Sequence, residues 1–201
     1  MMTVQNHNHN PSKAPQPAVF LDRDGTINVE KSYLYRFEDW EWIPGAKEAI
    51  RKFKQLGYRI VVVTNQAGIA RGLYKPSDVD QLHALVQQEL AGIESTIDAF
   101  YYCPHHPDIS GDCTCRKPAP GMILQAALDL NLDLAHSWII GDKLIDVQAG
   151  YAAGVKSIMV RTGYGIDQQN HIKSETPVFD SLIYAAEWLA TIDQGQRMAH
   201  A

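Results

Sequence analysis

Cysteine is scarce in this chain: three residues among 201, Cys103, Cys113 and Cys115, all within one short stretch. An odd, clustered set argues against a disulfide framework and for a metal. No apolar run is long enough to cross a bilayer. Residues 1–17 are rich in Asn, His, Gln and Pro and lack the apolar stretch of a signal peptide, so a cytoplasmic protein is expected. That segment reads as a disordered tail in which His7 and His9 are solvated rather than metal-bound. Basic charge is not in excess either. Lys and Arg number 18 against 23 Asp and Glu, a net charge of −5. No basic footprint for general nucleic-acid binding is left. There is no internal repeat, no sustained heptad and no sticky apolar stripe, so no membrane or nucleic-acid partner is expected and the chain should be a monomer.

What is present is globular: 45% apolar and 20% charged residues. This length suits one domain, over 18–201, with a substantial core. Strand-like apolar runs alternate with helical patterns. Strands are expected over 19–21, 58–63, 97–102, 138–140 and 155–160. Helices are expected over 46–56, 76–90, 121–130, 146–153 and 182–192, with Gly57 and Gly154 as stops. This alternation predicts an α/β fold: a three-layer, Rossmann-like parallel sheet with helices on both faces. The connections 28–44 and 103–120 are the longer loops, suited to function. The spacing leaves room for loops only, so no large cap domain is expected and the site should be open from above.

Polar clusters fall at the ends of these strands. The first strand runs into Asp22-Arg23-Asp24-Gly25-Thr26. The second ends in Thr64-Asn65-Gln66. The third leads through Cys103 to Arg116-Lys117-Pro118, and the fourth ends in Gly141-Asp142-Lys143, with Asp146 four residues past Asp142. In open α/β sheets, ligands bind outside the carboxyl ends of the strands. In an extended segment, Asp22 and Asp24 point the same way. Such a pair can hold Mg²⁺, whose ligands are hard oxygens, or divide nucleophile and proton-shuttle roles. Each cluster also has a purely structural reading. Asp-Gly is a turn signal, Thr64 and Asn65 could cap a turn, Lys117 could be solvated, and Asp142 and Asp146 could complement a helix dipole. Four such coincidences at four strand ends are harder to accept than one active site.

The set Asp-Arg-Asp-Gly-Thr, Thr-Asn-Gln, Arg-Lys-Pro and Gly-Asp-Lys-x-x-Asp resembles the four motifs of the haloacid-dehalogenase-like (HAD) phosphatases. Within that superfamily, the run 65–72, the Cys/His loop and Gly141-Asp142-Lys143-Leu144 resemble the D-glycero-D-manno-heptose 1,7-bisphosphate 7-phosphatases. Histidinol-phosphate phosphatases are close relatives. The resemblance implies that Asp22 is a nucleophile forming an aspartyl-phosphate and that Asp24 is the proton donor, then the base for water. It implies Mg²⁺ held by the Asp22 and Asp142 carboxylates and the Asp24 backbone carbonyl. It places Thr64, Asn65, Gln66 and Lys117 against the phosphoryl group, and Asp146 as a partner orienting Lys117 or a metal-bound water. Arg116 is assigned to substrate recognition and Lys143 to the rim, with Arg71 a further nearby cation. Glu30 and Tyr33 lie where that branch touches its substrate, but Ser32 stands where its pattern has Gly.

Cys103-Pro104-His105-His106 and Cys113-Thr114-Cys115 offer three thiolates and one imidazole. That donor set suits a closed, tetrahedral, structural Zn²⁺ within a loop over 103–115. His105 fits the ligand position of the relatives, with His106 the competing choice. Pinning this loop would fix Arg116 and Lys117.

The implied reaction is removal of the C7 phosphate of D-glycero-D-manno-heptose 1,7-bisphosphate, a small phosphorylated sugar, in the supply of nucleotide-activated heptose for lipopolysaccharide core or related glycans. The alternatives are histidinol-phosphate hydrolysis and a nucleic-acid 3′-phosphatase, the latter disfavoured by the acidic balance. A non-catalytic binding module is disfavoured by the intact Asp22, Asp24, Lys117 and Asp142.

Overall fold

The computed structural model describes residues 14–93 and 95–199. Of the expected tail, 1–13 lie outside the described residues, as do His7 and His9. Gln16 and Pro17 are tied to the domain. The Gln16 N–H donates to the Asn131 carbonyl at 3.1 Å, and the Arg59 N–H donates to the Pro17 carbonyl at 2.9 Å.

The elements are β1 (Ala18–Leu21), α1 (Ala46–Gln55), β2 (Arg59–Asn65), α2 (Pro76–Ala91), β3 (Ala99–Cys103), α3 (Pro107–Ser110), α4 (Gly121–Leu130), β4 (Trp138–Gly141), α5 (Leu144–Ala153), β5 (Lys156–Val160), α6 (Gly165–Gln168), β6 (Val178–Phe179) and α7 (Leu182–Ala199). The strands form one sheet, ordered β3-β2-β1-β4-β5-β6. Every pairing is parallel. The sequence reading has five strands. The sixth, β6, is two residues long and carries no periodic signal of its own. It exists because its backbone continues the ladder beside Met159 and Val160.

Because side chains alternate along a strand, β1 feeds two cores. Val19 and Leu21 join Ile50 and Phe53 of α1, Leu82 and Val86 of α2, and Ala186 and Leu189 of α7. Ala18 and Phe20 face the other way, onto Met122, Ile123 and Ala126 of α4 and Ala149 of α5. This is the three-layer arrangement that the β-α alternation predicts. The four residues of β1 are fully buried, as a central parallel strand requires.

Strand order reverses between β1 and β4, where the chain first steps toward β2 and β3 and later toward β5. A crevice opens at such a switch point, beyond the strands' carboxyl ends. The register Leu21↔Ile140 sets Asp22 level with Gly141, one residue before Asp142, so both aspartates emerge just past the last paired residues.

Candidate active site

The four motifs converge on one cavity of about 240 Å³, lined among others by Asp22, Asp24, Glu30, Tyr33, Thr64, Asn65, Gln66, Lys117 and Lys143. At its floor, Lys117 Nζ lies 2.7 Å from Asp22 Oδ1 and 2.7 Å from Asp146 Oδ1. It also donates to the Val63 carbonyl at 2.7 Å. Burial alone would lower the pKa of Lys117, but the Asp146 and Asp22 carboxylates outweigh it and raise it. Asp22 shows the converse: burial opposes its charge, while Lys117 and Lys143 hold its pKa below the ordinary value.

Asp142 lies beneath the same floor. Its Oδ2 accepts the Tyr164 N–H at 2.8 Å, and its buried Oδ1 has no partner. Oxygen atoms of Asp22, Asp142 and Asp146 lie within 4.8 Å of one another. Burial, reinforced by the Asp22 charge, pushes Asp142 up to about 8. Burial likewise lifts Asp146 to about 6, against the pull of Lys117. Lys117 and Lys143 offset these three crowded carboxylates only in part, and a free oxygen among hard-oxygen donors fits a divalent cation such as Mg²⁺. Two glycines enclose the Asp142 carboxylate. A Cβ on Gly25 would lie 2.3 Å from Asp142 Oδ2, and one on Gly163 would lie 2.2 Å from it.

Asp24 lines the cavity, but its carboxylate belongs to a different set of contacts. Arg23 Nη2 donates to its Oδ2 at 2.8 Å, Asn28 Nδ2 to its Oδ1 at 3.0 Å and Gln66 Nε2 to its Oδ2 at 3.1 Å. The chain bends at Arg23, just after β1, and Asp22 and Asp24 both line the cavity. Arg23 and Asn28 had no assigned role in the sequence reading. Arg23 is fully buried, and a buried guanidinium needs carboxylate or carbonyl partners, a need that its burial and not its place in the sequence reveals. Gln66 is buried and also donates to Thr64 Oγ1 at 2.9 Å.

Asn65 faces Lys117: its amide donates to the Lys117 carbonyl and accepts the Lys117 N–H, both at 3.0 Å. At the rim, Glu30 accepts Lys143 Nζ at 3.0 Å and the Ser32 N–H at 2.9 Å. Burial would lower the pKa of Lys143, but Asp22, Asp142 and Glu30 raise it. Tyr33 lines the cavity half exposed, and both it and Ser32 have left-handed backbone, with φ of 58° and 42°. Arg116 is not among the residues lining the cavity; its Nη1 donates to the His105 carbonyl at 3.1 Å. Arg71 lies farther out, its Nη2 2.8 Å from His106 Nε2.

The Cys/His loop closes on itself. Cys103 Sγ lies 3.6 Å from Cys113 Sγ and 3.1 Å from Cys115 Sγ, and the Cys113–Cys115 pair is 3.5 Å apart. His105 Nδ1 lies 3.3 Å from Cys115 Sγ and 3.7 Å from Cys103 Sγ. All three cysteines are free thiols. Donors on a tetrahedron with metal–sulfur bonds of about 2.3 Å stand roughly 3.8 Å apart, so this spacing fits one Zn²⁺. His105 points into the cluster, whereas His106 faces Arg71.

Comparison with known proteins agrees with this geometry. A family model described as HAD-hydrolase-like matches residues 114–185. The chain is 46% identical over 153 residues to the D-glycero-beta-D-manno-heptose-1,7-bisphosphate 7-phosphatase of Escherichia coli (strain K12), covering 73% of this chain and 80% of that protein. Its counterpart from Yersinia pestis is 44% identical, with 73% and 81% covered. Among solved structures, the D,D-heptose 1,7-bisphosphate phosphatase of B. bronchiseptica, complexed with magnesium and phosphate, superposes with a TM-score of 0.81. It is 34% identical, covering 87% of this chain and 98% of that one.

Proposed function

Since the chain belongs to the D-glycero-D-manno-heptose 1,7-bisphosphate 7-phosphatases, phosphoric monoester hydrolases of the HAD superfamily, we propose that it removes the C7 phosphate of that bisphosphate and leaves the 1-phosphate. The relatives' names specify the β anomer, and the same anomer is assigned here. The product would feed nucleotide-activated heptose, for lipopolysaccharide core or a related glycan. The enzyme would act as a cytoplasmic monomer on this small sugar.

One observation carries the reading: Asp22, Lys117 and the Asp142 carboxylate meet at one strand-end crevice, with Asp24 lining the same cavity. Asp22 Oδ attacks phosphorus, giving an aspartyl-phosphate. Asp24 donates a proton to the departing C7 alkoxide and then takes one from the water that hydrolyses the intermediate. Lys117 and the Thr64 hydroxyl stabilise charge on the transferring oxygens. Asp22, Asp142 and the Asp24 carbonyl would hold Mg²⁺, with Asp146 keeping Lys117 in place. That ion supplies the positive charge that lets a carboxylate approach a phosphate dianion. Cys103, His105, Cys113 and Cys115 would hold a structural Zn²⁺. Glu30 and Tyr33 would meet the sugar. Arg116 would engage the distal phosphate, a role its bidentate fork suits.

The test is Mg²⁺-dependent phosphate release from both anomers, with histidinol phosphate alongside. The reading expects the heptose bisphosphate to have the higher kcat/KM, and Asp22→Asn to abolish turnover. Preference for histidinol phosphate would replace the substrate assignment, and salt-sensitive binding of 3′-phosphorylated DNA would favour a nucleic-acid substrate.

A further inference from the structure

Gln66 sits in the second motif and lines the cavity, yet its side chain is almost wholly buried and fully engaged within the protein. Its Nε2 donates to Asp24 Oδ2 at 3.1 Å and to Thr64 Oγ1 at 2.9 Å. Its Oε1 accepts the Tyr74 hydroxyl at 2.7 Å. An amide has two unlike ends, and this arrangement uses both. Tyr74 is buried and stacked on Tyr35, with ring centroids 5.0 Å apart. Gly68 lies against the ring edge, where a Cβ would come within 2.2 Å of it. Burial pushes the Tyr74 phenol up to about 12, so it keeps its proton and donates.

We propose that Gln66, with its amide orientation fixed by the Tyr74 hydroxyl, is a positioning residue for Asp24 and Thr64 rather than a phosphate ligand. This rests on Asp24 being the proton carrier of the proposed reaction. The polarity runs one way. The ionised Asp24 carboxylate can only accept, so the NH₂ end is turned to it and to Thr64, and the Tyr74 O–H secures the carbonyl end. A donor on a Thr64 lone pair leaves the Thr64 proton to point at a phosphoryl oxygen. A donor on Asp24 Oδ2, together with Asn28 on Oδ1 and Arg23 on both oxygens, holds the carboxyl plane in one orientation. If the amide flipped, its carbonyl would face a carboxylate oxygen, a repulsion that works against the hold of Arg23 and Asn28 on Asp24.

A mispositioned acid harms only leaving groups that need a proton. The experiment compares kcat/KM, which ends at leaving-group departure, for an alkyl ester and an aryl ester. A sugar phosphate that the wild type hydrolyses serves as the first and p-nitrophenyl phosphate, whose leaving group departs as an anion, as the second. Gln66→Met is expected to lower the alkyl-to-aryl ratio by about tenfold or more, within the range that general-acid catalysis contributes. Tyr74→Phe, which keeps the stacked ring, is expected to lower it by about threefold. A ratio does not depend on how much of the protein is folded. An unchanged ratio in Gln66→Met would overturn the positioning role, and an unchanged ratio in Tyr74→Phe would overturn the part given to its hydroxyl. Asp24→Asn run beside them tests the underlying assignment separately, since it must lower the ratio most if Asp24 is the acid.

Discussion

Asn65 holds the Lys117 backbone by both of its polar groups, its amide donating to the carbonyl and accepting the N–H at 3.0 Å each. The tip of β2 and the Arg-Lys-Pro loop, more than fifty residues apart in sequence, are thereby locked in register. This fixes where the lysine stem starts, and so where Nζ meets Asp22.

Asn65→Ala removes both bonds and leaves the Lys117 N–H and carbonyl without these partners. A loss of about 1–3 kcal/mol in stability is expected. A larger effect is expected on turnover, about tenfold or more in kcat, because Lys117 no longer meets Asp22 at a fixed distance. Denaturant unfolding and steady-state kinetics on one preparation check both numbers. Unchanged kcat would show that Asp146 and the Val63 carbonyl are enough to place Lys117.

The sequence made the strand tips legible and left their internal wiring hidden. Asp22 and Asp142 could be brought together because each directly follows an apolar run in a β-α alternation that admits few topologies, whereas Lys117 comes from the loop beyond β3. Asp146 makes two contacts at once: its Oδ2 accepts the Lys143 N–H at the start of α5, and its Oδ1 meets Lys117. The carboxyl contacts of Asp24 were not readable. They come from Arg23 beside it, Asn28 four residues on, and Gln66 just past the end of β2. Nothing in a linear pattern says which way those amides turn. The strand β6 escaped for a related reason, since two residues cannot show a period.

With a metal at Cys103, His105, Cys113 and Cys115, chelation should act on both stability and activity. The loop has little apolar packing at residues 107–112, so the ion would supply most of its order. A strong chelator is expected to lower the melting temperature and to weaken turnover through Arg116 and Lys117, which directly follow Cys115. Elemental analysis should find about one zinc per chain in the native protein. It should find none in Cys113→Ser/Cys115→Ser, while His106→Ala keeps its metal.

His83 gives the fold a pH dependence away from the active site. It is buried, stacked on Phe100 with ring centroids 4.3 Å apart, and its Nε2 has no partner. Burial, assisted by the Arg23 charge, holds its pKa well below 6.5. The folded protein therefore keeps this imidazole neutral while the unfolded chain takes up a proton near pH 6.5. Stability from this group is complete above that pH and declines below it, by up to about 1.4 kcal/mol per pH unit, until the folded pKa is reached. His83→Leu should flatten this part of the curve between pH 6.5 and 5, measured by denaturant unfolding at each pH. An unaltered slope would place the acid sensitivity in the carboxylates instead.

Gly163 offers the sharpest test of the metal-binding floor. Its φ is +57°, and a Cβ there would lie 2.2 Å from Asp142 Oδ2 and 2.7 Å from the Gly25 Cα. Two separate penalties meet in Gly163→Ala. The left-handed backbone costs about 1–2 kcal/mol for a side-chain-bearing residue. The contact with Asp142 cannot be relieved outward, because Gly25 lies against the same carboxylate. The expected outcome is therefore a folded but less stable enzyme whose Mg²⁺ requirement rises about tenfold or more, since Asp142 must shift to make room. Titration of activity against Mg²⁺ reads this directly. If the variant lost stability and its Mg²⁺ dependence stayed that of the wild type, the Asp142 carboxylate would not be a ligand.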